Sequence, residues 1–229
     1  EPTMVAVRVE DGRVLAVGSE AREMLGKTPE YIEVVRPMEE GVISDYAVTE
    51  AMLRYFLKMT MGSVWFVGPE VMVCVPSGVT QVEQRAVMDA VLAAGARKAY
   101  IIDAPLAAAI GAKIPVAEPM GSMIVDIGGG VTEAAVISLG GVVAAKSLRL
   151  GGNKIDKALS EYLKKKENLI VGDLVAEEVK IKLGSAVKLK RAEKMEISGR
   201  DMVSGLPKTI ELTSDDVYEA IRPVLDQMM

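Results

Sequence analysis

Residues 126–132 have the composition of a turn that binds a phosphate group. They read Asp-Ile-Gly-Gly-Gly-Val-Thr, with apolar residues typical of β-strands on both sides. Consecutive glycines allow a tight turn and leave no Cβ atoms in the path of a ligand, so the backbone N–H groups can point at an anion. An aspartate before such a turn can hold a Mg²⁺ ion through water. We therefore predict a nucleotide site formed by Asp126 (which also contacts Mg²⁺ through water), Gly128, Gly129, Gly130, Val131 and Thr132.

The surrounding pattern excludes two other phosphate-binding motifs. No Gly-Lys-Ser or Gly-Lys-Thr follows the glycines, which excludes a Walker A loop, and the next element is predicted to be a strand. A dinucleotide-binding fingerprint needs a helix at that place. A glycine-rich hairpin without a ligand is the alternative, but the preceding aspartate and the following threonine favour phosphate binding.

A second glycine-rich turn, formed by Gly151, Gly152 and Asn153, precedes a predicted helix. Glycines at the start of a helix leave N–H groups free for an anion. A plain helix cap by Asn153 explains the same residues equally well. Two such turns in one chain, each after an apolar strand, favour a nucleotide site more than either turn does alone.

Composition narrows the function further. The chain has 229 residues, a net charge of −5, one cysteine and no histidine. The absence of histidine excludes histidine-based triads and histidine metal ligands, and the acidic balance argues against a nucleic-acid partner. Cys74 lies in an apolar run, which predicts a buried thiol in a reducing compartment. No apolar stretch approaches the roughly 18 residues of a membrane span, and no signal peptide is visible, so we expect a cytoplasmic protein.

The hydrophobic pattern predicts an α/β chain in two lobes, with β-rich starts near residues 4 and 123. Thr80 and Glu83 form a capping box, and Ser214 is the predicted cap of the last helix. Predicted strands lie at residues 4–9, 14–17, 71–75, 99–102, 123–125, 133–139, 141–148, 187–197 and 210–212. Predicted helices lie at residues 48–59, 80–94, 105–110, 155–165, 174–183 and 217–229.

Several motifs resemble the MreB family of bacterial actins in order and spacing. The glycine turn itself resembles the second phosphate loop of the actin, sugar kinase and heat-shock chaperone ATPases. The segments that carry the resemblance to MreB are residues 36–45, 73–76, 104–111, 121–130 and 136–140. It implies an α/β actin-like fold of two ribonuclease-H-like lobes, with mixed sheets flanked by helices. The lobes would be residues 1–118, with a small subdomain near 10–45, and residues 119–229, with one near 155–220.

The resemblance also implies a function. Members of this family bind ATP or ADP with Mg²⁺, self-associate into filaments at the inner face of the cell membrane, and direct cell shape with the wall-synthesis machinery. Their first phosphate loop and their adenosine loop would lie beyond the two ends of this chain, so we expect both ends to be cut. The alternatives are a small-metabolite kinase, for which no suitable catalytic aspartate is visible, and a chaperone-type ATPase, for which no substrate-binding domain is present.

Two departures from the family pattern bear on hydrolysis. The family usually has Glu-Glu-Pro where this chain has Asp103, Ala104 and Pro105, and threonine where this chain has Val131. Alanine and valine side chains can neither hydrogen-bond to water nor polarise it. We therefore predict a weak ATPase at most, with Asp103 as the one candidate catalytic residue.

Four further residues follow from the resemblance. Glu177 and Lys180 lie one turn apart on the helix that borders the adenine and ribose in this family, although an exposed ion pair explains them equally well.

Trp65 and Phe66 lie in a short apolar loop, and the equivalent loop of the family dips into the membrane. Packing of Trp65 onto the core is the alternative. The basic residues between 182 and 194 are interleaved with glutamate, which favours a solvated face.

Overall fold

A computed structural model describes residues 1–62 and 68–229, which divide into two compact units. The first unit comprises Glu1–Asp126 and Val131–Arg149, and the second comprises Ile127–Gly130 and Leu150–Met229. The lobe boundary between residues 118 and 119 that the resemblance implies stays a prediction.

The first unit is built on short strands with helices between them. Its elements are β1 (Val5–Arg8), β2 (Val14–Val17), α1 (Ser19–Met24), β3 (Ile32–Val35), β4 (Met38–Glu39), β5 (Val42–Ile43), α2 (Tyr46–Met61), β6 (Glu70–Val75), α3 (Gln81–Ala93), β7 (Lys98–Asp103), α4 (Ala104–Gly111), β8 (Ser122–Ile127), β9 (Thr132–Ser138) and β10 (Gly141–Leu148).

Side-chain alternation along β1 explains the packing at the start of the chain. Strands β2, β1 and β3 form an antiparallel sheet in that order. Val5 and Val7 contribute to a core with Met52 of α2, whereas Ala6 packs on the opposite face with Ala21 of α1. Successive residues of a strand point to opposite faces, so one short apolar strand serves two cores.

The next strands place the segment that follows β6 beside α4. Strands β6 and β7 are parallel and are joined through α3, as a parallel pair requires a crossover connection. Their register pairs Val75 with Asp103, so the two strands end together. Strands β8 to β10 form a sheet in the order β10-β9-β8, in which β9 and β10 are antiparallel.

The second unit packs helices against a small antiparallel sheet of order β11-β12-β13. Its elements are α5 (Gly152–Lys166), β11 (Leu169–Ile170), α6 (Asp173–Leu183), β12 (Lys194–Asp201), β13 (Pro207–Thr213) and α7 (Ser214–Met228). The helices and the sheet share one core of buried aliphatic side chains, which are Leu159, Leu163, Leu169, Val179, Leu183, Ile197, Leu212, Val217, Ala220 and Ile221.

Local signals in the sequence predicted the starts of α3 and α2 to within two residues. The Thr80 hydroxyl accepts from the Glu83 N–H, and the Glu83 carboxylate accepts from the Thr80 N–H, which confirms the predicted capping box. Helix α2 starts two residues before its predicted start at residue 48. Its N-cap is Asp45, whose carboxylate accepts from the Val48 N–H at 3.0 Å.

Two predictions near the C-terminus are wrong. The strand predicted over residues 187–197 starts only at Lys194, where Met195 and Ile197 begin to alternate toward the core of the second unit. The cap of α7 is Thr213 instead of Ser214, because the Asp216 carboxylate lies three residues further on and accepts from the Thr213 N–H. The Ser214 hydroxyl accepts from the Glu193 N–H instead.

The predicted burial of Cys74 is also wrong, because its thiol is exposed. Cys74 lies on the same side of β6 as Met72, which is 64% exposed, whereas Val75 on the opposite side is buried. An uninterrupted apolar run predicts burial on both faces of a strand, but the described residues cover only one face of β6. Helix α1 is a short helix that is absent from the predicted helices, and its buried residue is Ala21.

No helix in the described ranges has the length and apolar character needed to cross a membrane. Trp65 and Phe66, the predicted membrane-contact residues, lie outside the described residues.

Candidate functional site

Residues 128–130 of the glycine turn and the first turn of α5 lie directly against each other within the second unit. The Gly152 N–H donates to the Gly128 carbonyl at 3.0 Å, and the Asn153 N–H donates to the Gly129 carbonyl at 2.8 Å. A methyl group added at Gly151 would lie 2.5 Å from the Gly128 oxygen and 2.6 Å from the Gly129 oxygen. Only glycine therefore allows this approach, and the two predicted turns form one structure.

These hydrogen bonds correct the prediction for the second turn. The N–H groups of Gly152 and Asn153 bind carbonyl oxygens, so they are not free for an anion as we expected. The helix cap by Asn153 is also wrong, because the N-cap is Gly151 and Asn153 is the second residue of α5. The α5 turn thus supports the glycine turn instead of binding an anion through these amides.

The N–H groups of the glycine turn itself differ from the bonded N–H groups of Gly152 and Asn153. In the described part of the chain, Gly128, Gly129 and Gly130 donate no hydrogen bond from their N–H groups. Their carbonyls at 128 and 129 are fixed by α5, so the donors of the turn are held in place. Donors that are fixed and unpaired are suited to a phosphate group.

Lys180 brings a positive charge to the first turn of α5. Its ammonium group lies 2.8 Å from one Asp156 oxygen and 2.9 Å from the other, and it donates to the Gly152 carbonyl at 3.3 Å. The pair is largely shielded from solvent, which strengthens it relative to an exposed ion pair. Sequence reasoning found Lys180 but missed Asp156, because the contact joins two helices. Glu177 lies one turn before Lys180 on α6.

Within the first unit, Glu133 is a buried carboxylate that the sequence reasoning missed. Its side chain is 3% exposed, accepts from the Ser77 N–H at 2.8 Å and accepts from the Ser147 hydroxyl. Burial raises the pKa of Glu133, the two hydrogen bonds oppose that rise, and the nearby Asp126 and Asp103 charges add to it. The available signal was a single charge inside the apolar run of β9.

Ala104 and Val131, the two residues that depart from the family pattern, also lie in the first unit. The Val131 side chain packs toward the β4–β5 turn, since a methyl group added at Gly41 would lie 3.0 Å from its Cγ2 and 2.6 Å from the Pro76 Cγ. Ala104 is the first residue of α4. Thr132 is buried, with 7% of its surface exposed. The region around the end of the glycine turn is therefore partly apolar.

Asp103 and Asp126 both lie close enough to Glu133 to affect it electrostatically, so the structure brings these predicted residues together. Asp103 is the N-cap of α4 but makes no side-chain cap bond. No group of three or more cysteine or acidic side chains suited to a metal ion is found among residues 1–62 and 68–229. A Mg²⁺ ion that accompanies a nucleotide needs only one or two carboxylates besides the phosphates, and Asp126 fits that requirement.

Comparison with known proteins gives a consistent result over the whole chain. A family model described as "MreB/Mbl protein" matches residues 1–229. The cell shape-determining protein MreB of Pasteurella multocida is 47% identical over 233 residues, which is 99% of this chain and 66% of that protein. The cell shape-determining protein Mbl of Bacillus cereus is 42% identical over 222 residues, covering 97% of this chain and 67% of that protein. The chain thus spans about two thirds of the length of these relatives.

Solved structures agree with the sequence relatives. Two crystal structures of MreB5 from Spiroplasma citri, one bound to AMPPNP and one to ADP, each match with a TM-score of 0.90 at 34% identity. Both matches cover 100% of this chain and 68% of the other. A MamK double helical filament matches with a TM-score of 0.75 at 22% identity, covering 99% of this chain and 68% of that one, which shows the shared fold. The predicted actin-like α/β fold is confirmed.

Proposed function

The chain belongs to the MreB/Mbl family, and on that premise we propose that it is the nucleotide-binding part of a bacterial actin-like cytoskeletal protein. The ligand is ATP or ADP with Mg²⁺. One observation carries the proposal: the glycine turn has three N–H donors without a partner among the described residues, and its two hydrogen bonds to α5 hold them in place. The nucleotides bound to the two Spiroplasma citri relatives support it.

Different residues bind different parts of the nucleotide. Gly128, Gly129 and Gly130 donate N–H groups to phosphate oxygens, which pre-formed donors can do without reorganisation. Asp126 supplies the carboxylate for Mg²⁺, which neutralises phosphate charge when bound. Lys180, which is paired with Asp156, forms the adenosine side together with Glu177. Val131 and Thr132 complete the end of the turn.

Binding of a fluorescent ATP analogue to the full-length gene product tests this proposal. We expect saturable binding that ATP and ADP compete away and that Mg²⁺ strengthens. Asp126→Asn removes the carboxylate charge and should abolish most of the Mg²⁺ effect, while Asp173→Asn, at the start of α6, is the matched control. Absence of saturable binding, or equal Mg²⁺ dependence in both variants, would contradict the proposal.

We propose that hydrolysis is weak at most. Val131 packs toward Gly41 and Pro76, and neither its side chain nor that of Ala104 can hold a water molecule. Asp103 is the remaining candidate for that task. Phosphate release by the full-length gene product measures this, and a rate typical of hydrolysing relatives would disprove it.

Assembly and location follow from the family premise. We propose self-association into filaments at the inner face of the cell membrane, where the filaments act with the wall-synthesis machinery on cell shape. Electron microscopy of the full-length gene product with ATP tests assembly, and dispersed monomers at all concentrations would refute it. Replacing Trp65 and Phe66 with serine should abolish liposome binding without unfolding the protein, so liposome binding by that variant would refute their role.

A further inference from the structure

A small polar cluster lies between β9 and the segment that follows β6, entirely within the first unit. Its members are Ser77, Glu133 and Ser147. The Ser77 N–H and the Ser147 hydroxyl both donate to Glu133. A methyl group added at Gly78 would lie 3.2 Å from the Ser147 Cβ, so this segment rests directly on β10.

The Ser77 hydroxyl is the anomaly in this cluster. Its oxygen is buried and has no hydrogen-bond partner among the described residues. A buried hydroxyl without a partner is costly, and such groups in proteins usually bind an ordered water. A buried water needs about two to four polar partners, and Glu133 has further acceptor capacity beside the Ser77 backbone.

We propose that Ser77 and Glu133 bind one buried water molecule, and that Glu133 is a positioning residue that fixes the start of β9 for nucleotide binding. The second part rests on the proposed nucleotide-binding function, whereas the water site does not. Glu133 follows Thr132 directly in β9. An anchored Glu133 fixes the residues with which the glycine turn ends.

A second contact lies at the start of α3, where this segment ends. The Arg149 guanidinium lies 3.1 Å from a Glu83 carboxylate oxygen, and Glu83 belongs to the capping box that starts α3. This pair is partly exposed and contributes little by itself. With both contacts in place, the segment between β6 and α3 is tied to the start of β9 and to the residue after β10.

Ser77→Ala distinguishes a water site from an orphan hydroxyl by the sign of its effect. If Ser77 binds water, the alanine variant removes one partner, and the folded-to-unfolded ratio should fall about fivefold. If the hydroxyl has no partner, removing it should leave stability unchanged or raise it. Urea unfolding measures the ratio, and Ser138→Ala at the far end of β9 is the matched control. An unchanged or higher ratio for Ser77→Ala overturns the water site.

The positioning role needs a separate measurement on folded protein. We expect Ser77→Ala and Glu133→Leu to weaken binding of the ATP analogue at least threefold under conditions where both remain folded, and Ser77→Thr to restore it. Unchanged affinity in both variants overturns the positioning role. If the unsubstituted full-length gene product does not bind the analogue at all, the proposed function and the positioning role both fail. The unfolding experiment still decides the water site, and a high-resolution crystal structure should show the water within hydrogen-bond distance of both side chains.

Discussion

Gly151→Ala tests the contact between the glycine turn and α5. Gly151 has φ −167° and ψ −161°, an extended conformation open to alanine, so the backbone itself offers no resistance to the change. The new methyl group would lie 2.5 Å and 2.6 Å from two carbonyl oxygens. Backbone oxygens cannot rotate away as side chains do, so the turn and the helix must separate.

The magnitude follows from what that separation disrupts. Forcing an extra carbon into a packed contact costs about 1–3 kcal/mol. Weakening the two hydrogen bonds to Gly128 and Gly129 adds about 0.5–1.5 kcal/mol each. We therefore expect Gly151→Ala to lower the free energy of unfolding of the second unit by roughly 2–6 kcal/mol.

Gly152→Ala is the matched control in the next residue. Its methyl group would lie 3.1 Å from the Lys180 Nζ, the end of a flexible side chain that can move aside. We expect a change within about 1 kcal/mol, partly offset by the higher helix propensity of alanine. Urea unfolding and binding of the ATP analogue measure both variants. Equal stability and equal affinity for the two variants would refute the proposed support of the turn by α5.

Three further outcomes are expected. Thr213→Ala should lower the free energy of unfolding by about 1 kcal/mol through loss of the α7 cap, and unchanged urea unfolding would contradict that cap. Because the folded-state pKa of Glu133 is raised above its ordinary value of 4.5, the folded state holds the proton longer, so stability falls as pH rises from 4.5 through the raised pKa. Glu133→Gln should abolish this fall in a pH series of unfolding curves, and an identical pH profile would count against it. Ala104→Glu with Val131→Thr should raise the rate of phosphate release by the full-length gene product, and no increase would refute our explanation of weak hydrolysis.

The sequence correctly predicted features that depend only on residues close together in the chain. The capping box of Thr80 and Glu83 needs only residues three apart, and it was correct. The same pattern in Thr213 and Asp216 was overlooked in favour of Ser214, although an acidic residue three positions on is the distinguishing signal. The strand predicted over residues 187–197 is absent before Lys194. Lys194 is the first residue that pairs with the partner strand β13.

At the site, the sequence did not predict the contacts between segments that are far apart in the chain. The glycine turn was visible because its residue types and order are sufficient for its chemistry. That α5 donates its first amides to Gly128 and Gly129 depends on how two distant segments pack, so the sequence suggested free amides there. Asp156 and Ser77 were missed for the same reason. Glu133 could have been noticed as a lone charge among the small apolar residues of β9.

The central claim is that the N–H groups of the glycine turn bind the phosphates of a nucleotide. Backbone NMR of glycine-labelled protein, titrated with ATP and Mg²⁺, observes these groups directly. We predict saturable shifts of Gly128, Gly129 and Gly130, competed away by ADP, with smaller shifts at Gly151 and Gly152, whose contacts support the turn. Unmoved signals of the turn at saturating nucleotide, or saturable shifts confined to glycines elsewhere, would contradict the claim.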